Sequence, residues 1–170
     1  NNNILESLNH YGDMTPEEKL ELQKIQNDNS ISDEKKKYLF EARKGQGKYR
    51  KKILDLHKES CMLSGINAKE LLIASHIVPW VKSNNDEKID EHNGLLLSAS
   101  IDKLFDQHYI SFDEKDLLVV NKEFKVRHPN YKDIMSTIGV YKKLIDRKQS
   151  LSLSEESKKY MKRHFKEVNK

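Results

Sequence analysis

The sequence predicts an α+β protein in which short antiparallel strands in the middle of the chain are flanked by N- and C-terminal helices. Two observations lead to this fold class. Helix start signals and helical apolar spacing occupy both ends of the 170-residue chain. The middle instead holds short apolar runs bounded by turn residues, which is typical of strands. The length suits one ordinary domain with appended helical segments.

Three helices are expected in the N-terminal part. Thr15 precedes Pro16 and two glutamates, a typical start with a capping residue, proline at the first helical position and acids in the first turn. Ser32 opens a second helix in a similar way, and we expect Gly45 to end it, because glycine commonly follows the last helical turn. A third helix is then expected over residues 48–57.

The strands are expected in the middle of the chain. Residues 79–93 are polar and are expected to form a loop anchored by Trp80 and Val81. A helix capped by Ser98 or Ser100 should follow the strand after this loop. The predicted strand segments are residues 61–65, 71–77, 95–97, 109–112 and 117–120, the last two forming a hairpin.

The chain is expected to return to helix after residues 128–130. Ser154, followed by two glutamates, marks the start of a last, basic helix. We therefore predict an N-terminal helical segment over 1–44, a core over 45–130 and a C-terminal helical segment over 131–170.

Positive charge is concentrated in one stretch of the chain. The net charge of +4 divides into −6 over residues 1–34, +8 over 35–58 and +2 over 59–170. A concentrated basic block attracts polyanions through counterion release, although a solvated helix face would carry the same charges. The candidate phosphate contacts in this block are Lys48, Arg50, Lys51 and Lys52.

Composition excludes several classes of protein. No stretch approaches the ~18–20 uninterrupted apolar residues of a membrane span, so we expect no membrane partner and a cytoplasmic location. Cys61 is the single cysteine and cannot build a disulfide framework or a cysteine-rich zinc site, so we expect no structural zinc. Because the chain begins with Asn1 rather than Met, it is a candidate fragment of a longer protein.

Three motifs carry residues suited to chemistry: a strand ending in Ser75 and His76, an Asn93 before an apolar run, and a helix bearing Asp102 and Asp106. The two aspartates are four residues apart, so they share one helix face and repel each other unless a cation lies between them. Carboxylates favour Mg²⁺ or Mn²⁺. A neutral His76, with an ordinary pKa of ~6.5, can take a proton from a water that attacks a phosphate.

Each of these residues also has an ordinary structural explanation. His76 could be a half-buried strand residue bonded to a carbonyl, and Asn93 with the following glycine is a common hairpin signal. Asp102 near a helix N-terminus is favourable without any metal, and Asp106 could be a surface acid. All four explanations would have to hold together in this order and spacing, and this conjunction favours the functional interpretation.

The joint pattern resembles the HNH endonucleases, whose active site is a two-stranded ribbon followed by a helix around one metal ion, the ββα-metal fold. It is most similar to their restriction-enzyme-like branch. The resemblance runs from about residue 45 to residue 112. It rests on the segments His-Ile-x-Pro-Trp from His76, Asn-Gly-Leu-Leu-Leu from Asn93 and Leu-Phe-Asp from Leu104.

The resemblance implies a role for each site residue. His76 would be the general base, Asn93 would brace the loop that orients it, and Asp102 and Asp106 would be metal ligands. Two departures stand out. Ser75 occupies the place where many members have an acidic or histidine ligand, and Asp102 occupies the place of the final histidine.

Two further histidines and the lack of paired cysteines also bear on the resemblance. His92 and His108 are held in reserve as further ligands, with surface or loop placement as the favoured explanation. The paired cysteines that hold zinc in many relatives are absent.

The function implied by the resemblance is a metal-dependent endonuclease that hydrolyses DNA phosphodiester bonds with one divalent ion, Mg²⁺ or Mn²⁺. Such enzymes usually act in bacterial restriction or anti-phage defence. The alternatives are a non-catalytic nucleic-acid-binding module, a non-specific DNA or RNA nuclease effector, and a helical scaffold with a solvated basic block. Symmetric cutting of duplex DNA would favour a two-fold homodimer, and a specificity domain upstream of Asn1 is a candidate partner.

Overall fold

The computed structural model describes residues 16–30 and 32–168. Short strands between helices confirm the α+β class. The described residues form two compact units that divide after Lys51, while the three segments expected from the sequence stay predictions. The elements are α1 (Pro16–Asn27), α2 (Asp33–Leu56), β1 (Leu72–His76), β2 (Gly94–Ser98), α3 (Ala99–Asp106), β3 (Ile110–Phe112), β4 (Leu118–Val120), α4 (Lys122–Arg127), α5 (Tyr131–Thr137), α6 (Lys142–Ile145) and α7 (Glu155–Val168).

Helices α1 and α2 begin where the sequence predicts. The first helical residue of α1 is Pro16, and its expected capping residue, Thr15, lies outside the described residues. Ser32 precedes α2, and its hydroxyl accepts a hydrogen bond from the Lys35 amide at 3.3 Å. Its carbonyl accepts from the Lys36 amide at 2.9 Å. The first bond satisfies an amide that the first helical turn leaves without an intrahelical partner, and the second is the first i to i−4 bond of the helix.

The predicted end of α2 at Gly45 is wrong. The helix continues through Gly45 and Gly47 to Leu56, so the helix expected over residues 48–57 is its last part. A glycine inside a helix costs only about 1 kcal/mol relative to alanine. The many lysine, arginine, glutamine and leucine residues around the two glycines favour the helix enough to offset this cost.

The strand predicted over residues 61–65 is also wrong, because this segment forms a tight turn. The Cys61 amide donates to the Ile66 carbonyl, and the Gly65 amide donates to the Cys61 carbonyl, both at 2.8 Å. Gly65 has a φ of +71°, which a strand does not adopt and which glycine tolerates without steric cost. Cys61 is buried, as expected for a small apolar side chain.

The strands form two separate two-stranded antiparallel sheets. The first pairs β1 with β2 in a register that runs from Leu72 opposite Ser98 to His76 opposite Gly94. Helix α3 packs against both of these strands and buries Ile101 completely. The second sheet is the predicted hairpin of β3 and β4. The polar segment between β1 and β2, residues 77–93, is called the β1–β2 loop below.

The C-terminal helices follow the second hairpin. Helix α4 was not predicted, and its cap is Asn121, whose side-chain oxygen accepts from the Phe124 amide at 3.1 Å. Helix α7 follows Ser154 as predicted, with the serine hydroxyl accepting from the Ser157 amide at 3.1 Å. None of the helices in residues 16–30 and 32–168 is both long and apolar enough to cross a membrane.

Candidate active site

The C-terminal end of β1 carries Ser75 and His76. Ser75 is buried with 6 % of its surface exposed, lies opposite Leu95 of β2, and forms a side-chain hydrogen bond with Asp102 of α3. This bond brings the strand end and the helix together at one place. The position that departs from the family pattern is therefore occupied by a hydroxyl that bonds to the candidate metal ligand.

The ring of His76 is held by the backbone of the β1–β2 loop. Its Nε2 lies 3.0 Å from the Lys88 carbonyl oxygen, and since a carbonyl can only accept, Nε2 carries the proton. In a neutral ring Nδ1 is then the basic nitrogen. Burial lowers the pKa of His76, and the hydrogen bond to Lys88 partly opposes this shift. The side chain is therefore neutral near pH 7.

Trp80 packs against the ring of His76. Its ring meets the His76 ring edge to face at 5.6 Å between centroids, and the Lys88 ammonium lies 5.1 Å from the Trp80 ring centroid. The expected anchoring role of the neighbouring Val81 is wrong, because 88 % of its surface is exposed. The short helical turn that contains both residues directs only the tryptophan inward.

Asn93 closes the β1–β2 loop from within. Its side chain is fully buried. Its Oδ1 accepts from the Val78 amide at 2.8 Å, and its Nδ2 donates to the Glu87 carbonyl at 2.9 Å. Its own carbonyl accepts from the Ile77 amide at 3.0 Å. One asparagine thus joins the first residues of the loop to the segment that holds the His76 ring, so it is suited to bracing the loop.

Asp102 and Asp106 lie one turn apart on α3. Asp102 is half-buried, and this burial is the largest cause of its raised pKa. The Ser75 hydroxyl opposes the shift, while the charge of Asp106 adds to it. Asp106 itself is exposed. A cation between the two carboxylates would favour the ionised form of both.

The donor set fits a metal that keeps most of its ligands as water and phosphate oxygens. Within the described residues no group of three or more His, Cys, Asp or Glu side chains is placed to hold a metal ion together. Mg²⁺ is commonly bound through one or two carboxylates and substrate phosphates. The chemistry of Asp102 and Asp106 therefore suits Mg²⁺ or Mn²⁺, and the two residues are candidate ligands for such an ion.

The two reserve histidines contact other groups. The Nδ1 of His92 lies 3.3 Å from the Ser154 hydroxyl. The Nδ1 of His108 lies 3.0 Å from Nε2 of His164, a buried residue of α7. These contacts agree with the expectation of loop placement for both.

The basic residues proposed to contact phosphate lie on α2. Lys48 and Lys51 are exposed and Arg50 is half-buried. Lys52 is exposed, and its ammonium pairs with the Glu91 carboxylate at 3.2 Å. The first three belong to the unit that ends at Lys51, and Lys52 begins the unit that contains the strands.

The chain was compared with families of known proteins. Residues 61–113 match the family model of the HNH endonucleases. This HNH segment contains β1, β2, α3 and β3, together with His76, Asn93, Asp102 and Asp106. No curated protein matches the chain. The HNH segment therefore includes all four residues selected from the sequence, whereas the basic residues of α2 lie outside it.

Sequence reasoning missed the groups that hold the candidate base. The carbonyl of Lys88 is backbone, which has no side-chain signal in a sequence. Glu87 and Arg163 form an ion pair at 2.6 Å, and their separation of 76 positions in the sequence leaves no local pattern to detect. Turn-forming residues in the loop are a general signal of backbone groups that need such partners.

Proposed function

We propose that this protein is a metal-dependent endonuclease that hydrolyses DNA phosphodiester bonds. The observation that carries the proposal is the bond from His76 Nε2 to the Lys88 carbonyl at 3.0 Å, at the end of a strand whose Ser75 is bonded to Asp102. This arrangement presents a basic imidazole nitrogen on the strand residue that follows the partner of Asp102. The match of residues 61–113 to the HNH endonucleases supports the same chemistry.

In the proposed reaction a water molecule attacks the scissile phosphorus while His76 Nδ1 accepts its proton. The bond from phosphorus to the 3′ oxygen breaks, and that oxygen takes a proton from solvent, leaving 5′-phosphate and 3′-hydroxyl ends. The Lys88 carbonyl stabilises the imidazolium that forms, because it accepts from the protonated Nε2. Asp102 and Asp106 would hold the divalent ion, which when bound supplies positive charge to the phosphate and the leaving oxygen.

The substrate proposal rests on charge. We assign Lys48, Arg50, Lys51 and Lys52 as phosphate contacts, which position a nucleic acid without reading its sequence. We propose duplex DNA, cut by a homodimer in the cytoplasm as part of bacterial restriction or anti-phage defence in the restriction-enzyme-like branch. A specificity domain upstream of Asn1 would then select the target. The resemblance of the three sequence motifs supports this finer assignment.

The test is a cleavage assay with plasmid, linear duplex, single-stranded DNA and RNA, each in Mg²⁺, Mn²⁺ or EDTA. We expect metal-dependent cutting of duplex DNA that falls about 10²–10⁴-fold in His76→Ala, the usual contribution of a general base. Asp102→Asn should lose activity similarly. The matched controls are His128→Gln and Asp133→Asn, which change a half-buried histidine and an exposed acid outside the HNH segment.

One observation favours a second function. A hydroxyl, Ser75, takes the place of a ligand, and within the described residues no three ligand-type side chains share a site. A nucleic-acid-binding module that no longer cleaves its substrate would lack metal ligands in this way. Salt-sensitive DNA binding without cutting of any substrate in any metal would establish the binding module and contradict the nuclease. Equal cutting of RNA and DNA would instead indicate a non-specific effector.

A further inference from the structure

Helix α7 holds the β1–β2 loop. It packs against β3 and against the short helical turn Glu91–Asn93 at the end of the loop. The loop also receives three side chains from α7 and the residue before it, namely Ser154, Tyr160 and Arg163.

Arg163 makes the strongest of these contacts. Its Nη1 donates to Glu87 Oε1 at 2.6 Å, and its Nη2 donates to the Lys82 carbonyl at 3.3 Å. The planar guanidinium thereby joins two points of the loop. Tyr160 adds a third point, because its hydroxyl donates to Asp90 Oδ2 at 2.7 Å. The contacts span the loop from residue 82 to residue 90.

One residue that α7 contacts, Glu87, is the neighbour in sequence of Lys88, whose carbonyl holds the candidate base. Glu87 receives Arg163 on its side chain, and its carbonyl accepts from Asn93 at 2.9 Å. The next carbonyl along the chain, that of Lys88, accepts from His76 Nε2. The carbonyl that orients His76, that of Lys88, thus lies next in sequence to Glu87, which is bound by Arg163.

We propose that Arg163 and Tyr160 are positioning residues of the active site, which act through Glu87 and Asp90 to hold the Lys88 carbonyl against the ring of His76. The inference rests on the proposed function in so far as His76 is the general base. Neither residue of α7 needs to contact the substrate for this role. The effect is on the orientation and tautomer of the ring, and therefore on turnover rather than on binding.

The first test needs no substrate. The ¹⁵N chemical shifts of a histidine ring distinguish the tautomer with a proton on Nε2 from the one with a proton on Nδ1. The ring signals of His76 are assigned as those that disappear in the spectrum of His76→Asn. We expect the Nε2–H tautomer to dominate in the wild type and a mixture of both in Arg163→Gln and Glu87→Gln. Unchanged His76 shifts in both variants would overturn the proposal.

The second test separates turnover from binding. In Arg163→Gln we expect kcat to fall by about tenfold or more with KM for duplex DNA unchanged, since a displacement of about 1 Å costs up to 10²-fold. Arg163→Lys should restore part of the loss. The matched control is Arg127→Gln, which breaks an Arg–Glu pair at 3.1 Å on α4. A raised KM with an unchanged tautomer would make Arg163 a phosphate contact and contradict positioning.

The outcomes for the two proposals are distinguishable. If the wild type cuts nothing but Arg163→Gln changes the His76 tautomer, positioning stands and the nuclease function fails. If the wild type cuts DNA and Arg163→Gln alters neither tautomer nor kcat, the nuclease stands and positioning fails. Tyr160→Phe removes one hydroxyl only, so it tests the same role where a glutamine variant does not fold. A wild-type tautomer and kcat in Tyr160→Phe would then overturn the proposal.

Discussion

Ser75 and Asp102 are hydrogen-bonded to each other across the junction of strand β1 and helix α3. The serine is buried and the aspartate is half-buried. The carboxylate that interacts with the serine is therefore only partly hydrated. The hydrogen bond stabilises the ionised form of Asp102 against the burial that raises its pKa. The residue that departs from the HNH pattern is therefore engaged with the candidate ligand.

Replacing the serine should weaken the fold at this junction. Ser75→Ala removes a hydrogen bond to a charged group, and we expect the free energy of unfolding to fall by about 1.5–3 kcal/mol. Urea denaturation measures the change. In the Asp102→Asn background the charge is absent, so the same serine substitution should cost less. Equal costs in both backgrounds would contradict a coupling between the two residues.

Asn93 should be needed for the conformation of the β1–β2 loop. Asn93→Ala leaves the buried Val78 amide and the Glu87 carbonyl without their hydrogen-bond partner, and each buried group left unpaired costs about 1–3 kcal/mol. We expect a lower midpoint in urea and faster hydrogen exchange at the Val78 amide. Asn93→Asp keeps the acceptor for Val78 but loses the donor to Glu87. It should therefore protect the Val78 amide better than alanine does, and equal exchange in the two variants would count against the bracing role.

Stability should depend on pH through His164. Burial, with help from His108, lowers its pKa to about 4, whereas an unfolded histidine titrates near ~6.5. The unfolded chain therefore takes up the proton first, so this contribution is complete above pH 6.5 and is lost as the pH falls towards 4. The loss amounts to about 3 kcal/mol at ~1.4 kcal/mol per unit.

Urea titrations between pH 4 and pH 8 measure this dependence. His164→Gln should be less stable than the wild type near neutral pH, because the ring stacks on Phe105 at 3.9 Å and forms hydrogen bonds with the Ser111 hydroxyl and the Phe105 carbonyl. The variant should also show a flatter pH dependence. An equally steep loss of stability in the variant would assign the effect to other groups.

The basic residues of α2 should set the salt dependence of DNA binding. Changing Lys48, Arg50, Lys51 and Lys52 to glutamine should lower affinity and reduce the slope of log K against log salt by about 0.9 for each phosphate that is no longer neutralised. Fluorescence anisotropy with a labelled duplex in EDTA gives the slope without cleavage. Lys122→Gln and Lys143→Gln change exposed lysines elsewhere and should leave it unaltered. If the variant with all four glutamines has the same slope as the wild type, the DNA binds to another surface.

The glycines inside α2 should limit its stability. Apart from the chain neighbours and the nearby helix backbone, no atom of the described residues lies within 4 Å of a Cβ added at Gly45 or Gly47. Alanine at either position should therefore raise the free energy of unfolding by about 0.5–1 kcal/mol. Circular dichroism during denaturation measures this. Gly65→Ala is the contrasting variant, because φ is +71° and the Tyr141 side chain occupies the space, and it should destabilise. Destabilisation by Gly45→Ala would mean that this position does not remain helical in solution.

Local signals explain what could be predicted from the sequence. The apolar runs at β1 and β2, the Asn93–Gly94 pair and the four-residue spacing of Asp102 and Asp106 all act over a few residues. They therefore indicated the ribbon, the helix and the shared face of the acids. The end of α2 was mispredicted because the signal of Gly45 competes with helix-forming neighbours on both sides.

The remaining features depend on contacts between distant parts of the chain. The ion pair of Arg163 and Glu87 joins residues 76 positions apart, and the acceptor for His76 is a backbone carbonyl. Neither has a pattern in the sequence, since charged residues and turns of the same kind occur elsewhere without such partners. The half-buried state of Asp102 likewise follows from the packing of α3 on two strands rather than from its own neighbours.

The position of α7 in the chain has a consequence for biosynthesis. Domains form from the N-terminus as the ribosome releases them, and α7 is the last described element to emerge. On the nascent polypeptide the ribbon and α3 precede the helix that fastens the loop around His76. Arg163 and Tyr160 therefore become available to contact the loop only after the whole loop and His76 have been synthesised.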